Sequence, residues 1–184
     1  MKDRRFVKTE HAIRKAFLTL LKEKSLNKIS VSEISRMADL GRGTFYLHYK
    51  DTYDLYNTLE NELYTEICEL FEKSNPYINE NNLMHLINNI MDYISIHSDI
   101  FKTFIRFELE GNLLSKLKSY FYNKVLHESI VLSRPINNNI DYDVVEATFI
   151  VSGVIGVIED WLNNGMMMTK ENVSDILQKI LTKF

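Results

Sequence analysis

The segment GRGTFYLHYKD, residues 41–51, gathers two cations (Arg42 and Lys50), a hydroxyl (Thr44), a phenol (Tyr46) and an imidazole (His48) into one short stretch. Groups of these types suit the phosphate oxygens and base edges of a nucleic acid. Gly43 has no side chain, so its backbone can approach such a partner closely. A nucleotide loop is a poor alternative for Gly41-Arg42-Gly43, because no strand precedes it and the third glycine is missing. Upstream, Ser30 precedes Val31, with Glu33 three positions on. That is the pattern of a reciprocal helix cap. The start of the helix it opens would offer N–H groups and a positive dipole end to a phosphate.

The charge distribution points the same way. The chain has 184 residues and a formal net charge of -3. Residues 1–50 nevertheless hold 12 Lys and Arg against 5 Asp and Glu, and residues 51–184 hold 10 against 20. A basic end on an acidic chain suggests a polyanion partner for that end; a solvated basic face is the bland alternative.

Other chemistries find little support. The single cysteine, Cys68, can form neither an internal disulfide nor a cysteine zinc site, and reads as a small buried apolar residue. His11, His48, His85, His97 and His127 show no i, i+4 pairing, so no metal site is implied. No G-x-S-x-G or locally supported Cys/His arrangement occurs. The sequence therefore reads as a non-enzyme without a cofactor. The basic N-terminus lacks the apolar stretch of a signal peptide. The longest mainly apolar run, Ala147 to Ile158, is too short to span a membrane. A cytoplasmic protein with no membrane partner is expected.

The elements that must position these groups are helical, and few glycines and prolines argue against a turn-rich β architecture. Ile13, Ala16, Phe17, Leu20 and Leu21 repeat at helical spacing and predict a first helix over about 9–24. Short helices over about 31–38 and 42–48 follow, separated by Asp39-Leu40-Gly41. Phe45 and Tyr49 are the candidate core residues of the second of these. Asp51 and Thr52 can cap a longer fourth helix, which Asn75-Pro76 ends. Further helices are marked by Leu83 to Ile94, Phe101 to Phe107, Leu113 to Leu126, 142–163 and 170–183. Pro135 and three asparagines make 134–141 the most loop-like segment. The fold class is all-α with about nine helices. Two short helices joined by about three residues outline a helix-turn-helix within residues 1–50, followed by a helical part over 51–184. In that motif the second helix enters the major groove of double-stranded DNA.

The stretch ISVSEISRMADLGRGTFYLHYKDTYDLY resembles the DNA-binding signature of the TetR family of bacterial transcriptional regulators, over about residues 9–57. RGTFYLHYKD is its most specific part. The ending GVIGVIEDWLNNGMMMTKENVSDIL is more weakly similar to a subgroup that includes regulators of dihydroxyacetone kinase genes. The resemblance implies that Ser30 touches a phosphate, and that Arg42, Gly43 and Thr44 open the recognition helix at the groove. Tyr46 and His48 would bind phosphates from the exposed side. Leu47 would meet a thymine methyl, and Phe45 and Tyr49 would pack inward. Three positions depart from the family pattern. Asp39 stands where a turn glycine is usual, Gly41 where the cap is usually Ser, and Thr52 where Lys is frequent. Lys50 could take over the phosphate contact of that Lys.

The C-terminal part is less specific. Phe101, Phe104, Phe107, Tyr120 and Phe121 could line a ligand cavity or be plain core. The helix over 142–163 is apolar on too many faces for a surface helix. A symmetric dimer, as the resemblance implies, would bury it with the last helix through Val151, Val154, Ile155, Ile158, Trp161, Ile176 and Ile180. Met166 to Met168 would pack at the edge of that dimer. The reading is a dimeric repressor that binds a palindromic operator and responds to a small-molecule effector. The alternative is a co-regulator or activator on the same fold that works through a protein partner. An apolar cavity with a few polar groups favours the first; a filled core with an exposed apolar groove favours the second.

Overall fold

A computed structural model of the chain describes residues 4–75, 80–106, 113–131 and 140–182. Among these residues it holds nine α-helices and no strand. They are α1 (Arg4–Glu23), α2 (Val31–Met37), α3 (Arg42–Tyr46), α4 (Thr52–Ser74) and α5 (Glu80–Ile96), then α6 (Ser98–Arg106), α7 (Leu113–Val131), α8 (Ile140–Asn163) and α9 (Lys170–Leu181). A 3-10 turn, Leu26–Lys28, lies between α1 and α2. The chain divides into two compact units, with the boundary between Glu62 and Leu63, inside α4.

In the first unit the apolar stripe of α1 is Ile13, Ala16, Phe17, Leu20 and Leu21, all buried as its spacing predicts. It closes on Leu26, Ile34, Phe45, Leu55 and Tyr56. Phe17 and Phe45 are wholly inaccessible; burial of a side chain that size stabilises the fold by about 1.5–3 kcal/mol. The predicted start of α1 is late by about one turn. The added residues, Arg4 to Lys8, carry no apolar period, but Phe6 among them stacks on the His48 ring at 3.9 Å between centroids.

The cap of α2 is reciprocal, as the spacing predicts. The Glu33 N–H donates to the Ser30 hydroxyl at 3.3 Å, and the Ser30 N–H donates to the Glu33 carboxylate at 3.0 Å. At the other end Asp39 takes a left-handed backbone, with φ at 54°. Its N–H donates to the Arg36 carbonyl at 3.3 Å, and the Leu40 N–H donates to the Ser35 carbonyl at 2.9 Å. These two bonds close a Schellman turn, which usually takes glycine at the left-handed position. Asp39 serves there because a short polar side chain tolerates that backbone better than most. Gly41 caps α3 from an extended conformation. The α3 helix ends two residues earlier than predicted, with Leu47 and His48 in a following turn. At α4 the Asp51 carboxylate accepts from the Asp54 N–H at 2.8 Å, and the Asp54 carboxylate accepts from the Lys50 N–H at 2.9 Å.

In the second unit α5 packs on α9 and α7 packs on α8. The Ser174 hydroxyl donates to the Asn88 side chain, and Lys170 pairs with Asp92, so polar ties fasten α9 to α5. The core includes Ile67, Phe71, Met91, Phe101, Leu162 and Val173. After α8 the backbone reverses through Gly165 and Met166, both at positive φ. The Trp161 indole N–H donates to the Met168 carbonyl at 2.9 Å and pins that turn. Phe184 and the segment around Pro135 lie outside the described residues.

Candidate nucleic-acid interface and apolar cavity

α3 is too short to hold itself. It is fixed from below by Phe45, fully buried, and by Tyr49, which is 5 % exposed. The Tyr49 hydroxyl accepts from the Arg14 Nε at 2.9 Å and donates to Glu10 at 3.4 Å. Burial pushes the Tyr49 phenol up, against the opposing pull of Arg14, so it stays neutral. Arg14 also donates to both carboxylate oxygens of Glu62, at 2.5 and 2.8 Å. One guanidinium thus ties α1, the residue just after the recognition segment, and α4.

With that underside fixed, the opposite face is presented outward. Gly41, Arg42, Gly43, Tyr46, Leu47 and Lys50 are exposed, Tyr46 at 57 % and Leu47 at 76 %. Thr44 is half-buried. Leu47 gives that face an exposed apolar side chain beside its polar groups. A Cβ built on Gly43 would meet nothing within 4 Å. The fold itself has no need of glycine at that helical position, where it is less favourable than Ala by about 1 kcal/mol.

Two expected site residues sit differently. His48 is half-buried against Phe6 and does not stand free on the exposed side. Ser30 is exposed, but its N–H and its hydroxyl both donate to the Glu33 carboxylate. Its contribution is the cap. Glu33 is in turn paired with Lys24 at 2.5 Å. Thr52, the departure from the family's Lys, is buried. Sequence reasoning missed Met37 and Tyr53, both about half exposed at the end of α2 and the start of α4. Neither breaks a periodic pattern, so only the folded surface reveals them.

The aromatic candidates of the C-terminal part separate. The second unit holds a partly open cavity of about 140 Å³, lined by aliphatic and aromatic side chains from α4 to α9. Phe101 and Phe121 are in its wall; Phe104 is buried elsewhere in the core. Tyr120 lines a polar groove on the outer side of α7. Phe107 lies outside the described residues. Cys68 is half-buried and its thiol is pushed up by burial, which keeps it protonated and unreactive.

The expected dimer residues also divide. Val151, Ile155 and Trp161 are buried in the chain's own core, and Val154 and Ile158 are half-buried in the cavity wall. Within one chain these five already have neighbours. The helix is apolar on two faces, and its period alone could not say which faces inward. The outward apolar residues of α8 are Tyr142, Val145, Phe149 and Val157. Ile176 and Ile180 on α9 are exposed, and Met167, in the turn between the two helices, is 90 % exposed. A Cβ at Gly153 or Gly156 would meet nothing within the chain.

Among the described residues no cluster of His, Cys, Asp and Glu could hold a metal ion. No described helix is long and apolar enough to cross a membrane.

Comparison with known proteins agrees with this geometry. Residues 81–183 match a family model described as a transcriptional regulator C-terminal region of the TetR group. The chain is 40% identical over 68 residues to the uncharacterized HTH-type transcriptional regulator YxbF of Bacillus subtilis (strain 168). That match covers 36% of this chain and 18% of the relative's length. The fold resembles NalD, the secondary repressor of the MexAB-OprM multidrug efflux pump in Pseudomonas aeruginosa, with a TM-score of 0.70 at 16% identity, over 97% of this chain and 96% of that one. It also resembles a TetR transcriptional regulator from Streptococcus agalactiae 2603V, with a TM-score of 0.62 at 25% identity, over 97% and 96% of the two chains.

Proposed function

The chain belongs to the TetR family of transcriptional regulators, and on that premise we propose that it is a dimeric, ligand-responsive repressor of a palindromic operator. The observation that carries the reading is the two-sided recognition segment. Phe45 and Tyr49 are locked beneath it, while Arg42, Tyr46, Leu47 and Lys50 stand outward from a rigid support. Arg42, Thr44, Tyr46 and Lys50 supply the phosphate and groove-edge contacts, and Leu47 an apolar contact to a thymine methyl. His48 supports the segment through Phe6 and reaches phosphate from its half-buried edge. Gly43 admits the DNA backbone.

The outer face of α8 supports the dimer. Val145, Phe149 and Val157, with Gly153 and Gly156 between them, form an apolar surface where another backbone can come close; Ile176 and Ile180 extend the apolar exposure to α9. A two-fold dimer would place two α3 helices on half-sites one helical turn apart or a multiple of it. The presence of a cavity in place of a filled core supports effector control over the protein-partner reading, although its described lining supplies none of the few polar groups expected of an effector site. An effector that binds one dimer geometry better than the other shifts the population away from the operator-binding state.

The test is selection of duplexes from a random-sequence pool by the purified protein, followed by anisotropy titrations across a salt series. Convergence on a palindrome, bound at least about a thousandfold more tightly than random duplex, is the expected result. A pool that fails to converge overturns the reading.

A further inference from the structure

A wall of aromatic rings in the second unit separates two unlike spaces. On its inner side Phe71 and Phe121 line the apolar cavity. On its outer side Tyr64 and Tyr120 line a surface groove with Lys116, Ser119, Lys124 and His127. Phe71 meets Phe121 at 5.3 Å and Tyr120 at 5.8 Å between centroids, and Tyr64 meets Tyr120 at 6.1 Å, all edge to face. At that point the wall is the inner ring of Phe71 backed by the outer ring of Tyr120, and Phe121, next to Tyr120 on α7, continues its inner side.

The two sides call for different chemistry. Among the described residues every side chain around the cavity is apolar. A polar group placed there would lose its water and gain no partner. At about 140 Å³ the cavity compares with an engineered apolar cavity of about 150 Å³ that binds benzene, which corresponds to about six carbons. The ionisable side chains in the groove lining are the two lysines, His127 and the two tyrosines, with no carboxylate among them. An anion does reach this corner, however. Glu72, next to Phe71 on α4, accepts from the Tyr120 hydroxyl at 2.7 Å and pairs with the Lys124 ammonium at 2.5 Å, both through the same oxygen. Lys124 also lies 5.6 Å from the centroid of the Tyr120 ring. Glu72 therefore holds the position that the head of an anionic ligand would take.

We propose that the effector is an amphipathic carboxylate whose alkyl chain fills the apolar cavity and whose head displaces Glu72 from Lys124 and Tyr120. This rests on the reading of the chain as a ligand-responsive regulator. The chain passes between Phe71, Tyr120 and Phe121, which turn aside. Displacement of Glu72 unfastens α4 from α7. The α4 helix is continuous back to Glu62, which holds Arg14 of the DNA-binding unit, so the loosening has a route along the helix and through that ion pair to α1.

The test is calorimetric titration of the full chain with sodium octanoate, with 1-octanol and inorganic phosphate as separate arms. Octanoate is expected to bind at least tenfold more tightly than octanol, and phosphate not measurably. Lys124→Met should weaken octanoate at least tenfold and leave octanol unchanged. Glu72→Gln should tighten octanoate severalfold, a gain that a misfolded variant cannot show. Equal affinity for octanoate and octanol, absence of octanoate binding, phosphate binding as tight as octanoate, or no gain in Glu72→Gln each overturn the proposal. Operator binding is measured on the same preparation without octanoate. Intact operator binding with no octanoate binding removes the effector assignment alone; loss of selective operator binding removes the regulator reading.

Discussion

Arg14 and Glu62 lie 48 positions apart in sequence and are joined by two hydrogen bonds, at 2.5 and 2.8 Å, from separate guanidinium nitrogens. The pair is bidentate, but Glu62 is about half exposed, so solvent screens it. Its geometric role is larger than its energy, because the same guanidinium orients the Tyr49 hydroxyl beneath the recognition segment. A double-mutant cycle of Arg14→Met and Glu62→Gln in urea unfolding should give a coupling of about 1 kcal/mol or less. Operator affinity should fall further than stability does in Arg14→Met, since α3 loses its alignment while the fold survives. Equal proportional losses would show that the pair only stabilises.

Lys50 and Leu47 should separate by salt dependence. Lys50 is an exposed cation and Leu47 an exposed apolar side chain on the same segment. Lys50→Ala should weaken binding to all duplexes alike and reduce the log–log salt slope by about 0.9, one phosphate contact. Leu47→Ala should leave the slope unchanged and relax base preference at one position per half-site. A slope unaffected by Lys50→Ala would place that side chain away from the phosphates.

What the sequence made legible here was mostly local. Ser30 and Glu33 announce a cap because both partners lie within one turn. The stripe from Ile13 to Leu21 announces a buried face because a helix repeats regularly. Asp39 could be accepted as a turn residue because its backbone tolerance is intrinsic to the residue. The rest depends on pairs far apart in the chain. Phe6 on His48, Arg14 on Glu62 and Tyr120 on Glu72 have no sequence period to reveal them. The α8 helix is the clearest case: Ile155 and Phe149 are both apolar, and only packing shows that one faces the core and the other outward.

Asp39 offers a conformational test. Its φ of 54° is a region in which a Cβ is strained and glycine is not. Asp39→Gly should raise stability by up to about 1 kcal/mol, and Asp39→Val should lower it by more than about 1 kcal/mol, in urea unfolding. A neutral Asp39→Val would mean that the turn relaxes to another conformation and that the α2–α3 angle is not set there.

Glu33 makes a prediction in pH. Lys24 first, and then the Ser30 hydroxyl and N–H, hold its carboxyl at about 2, below the ordinary 4.5. A carboxyl depressed by folding contributes stability that is fully present above its unfolded value. That contribution disappears as pH falls from about 4.5 towards about 2. Thermal melts of the wild-type chain should therefore show a falling midpoint across that window. The fall should be shallower in Glu33→Gln. An identical pH profile for the two proteins would remove Glu33 from the acid-sensitive groups.

The two faces of α8 give opposite expectations for the same substitution. Ile155 is 6 % exposed, in the cavity wall, so Ile155→Lys buries a charge without a partner and should unfold the second unit. Phe149 is 62 % exposed within one chain, so Phe149→Lys disturbs the monomer's own packing far less than Ile155→Lys does. Placed at a two-fold interface, it would bring two like charges together across the dimer. Light scattering should then report a species near 21.7 kDa with helical circular dichroism retained. Operator affinity should fall steeply, because two linked half-site contacts become two independent ones. A Phe149→Lys protein that remains dimeric and binds normally would move the interface to another face. In that case the apolar exposure of Val145, Phe149 and Val157 would need a different occupant.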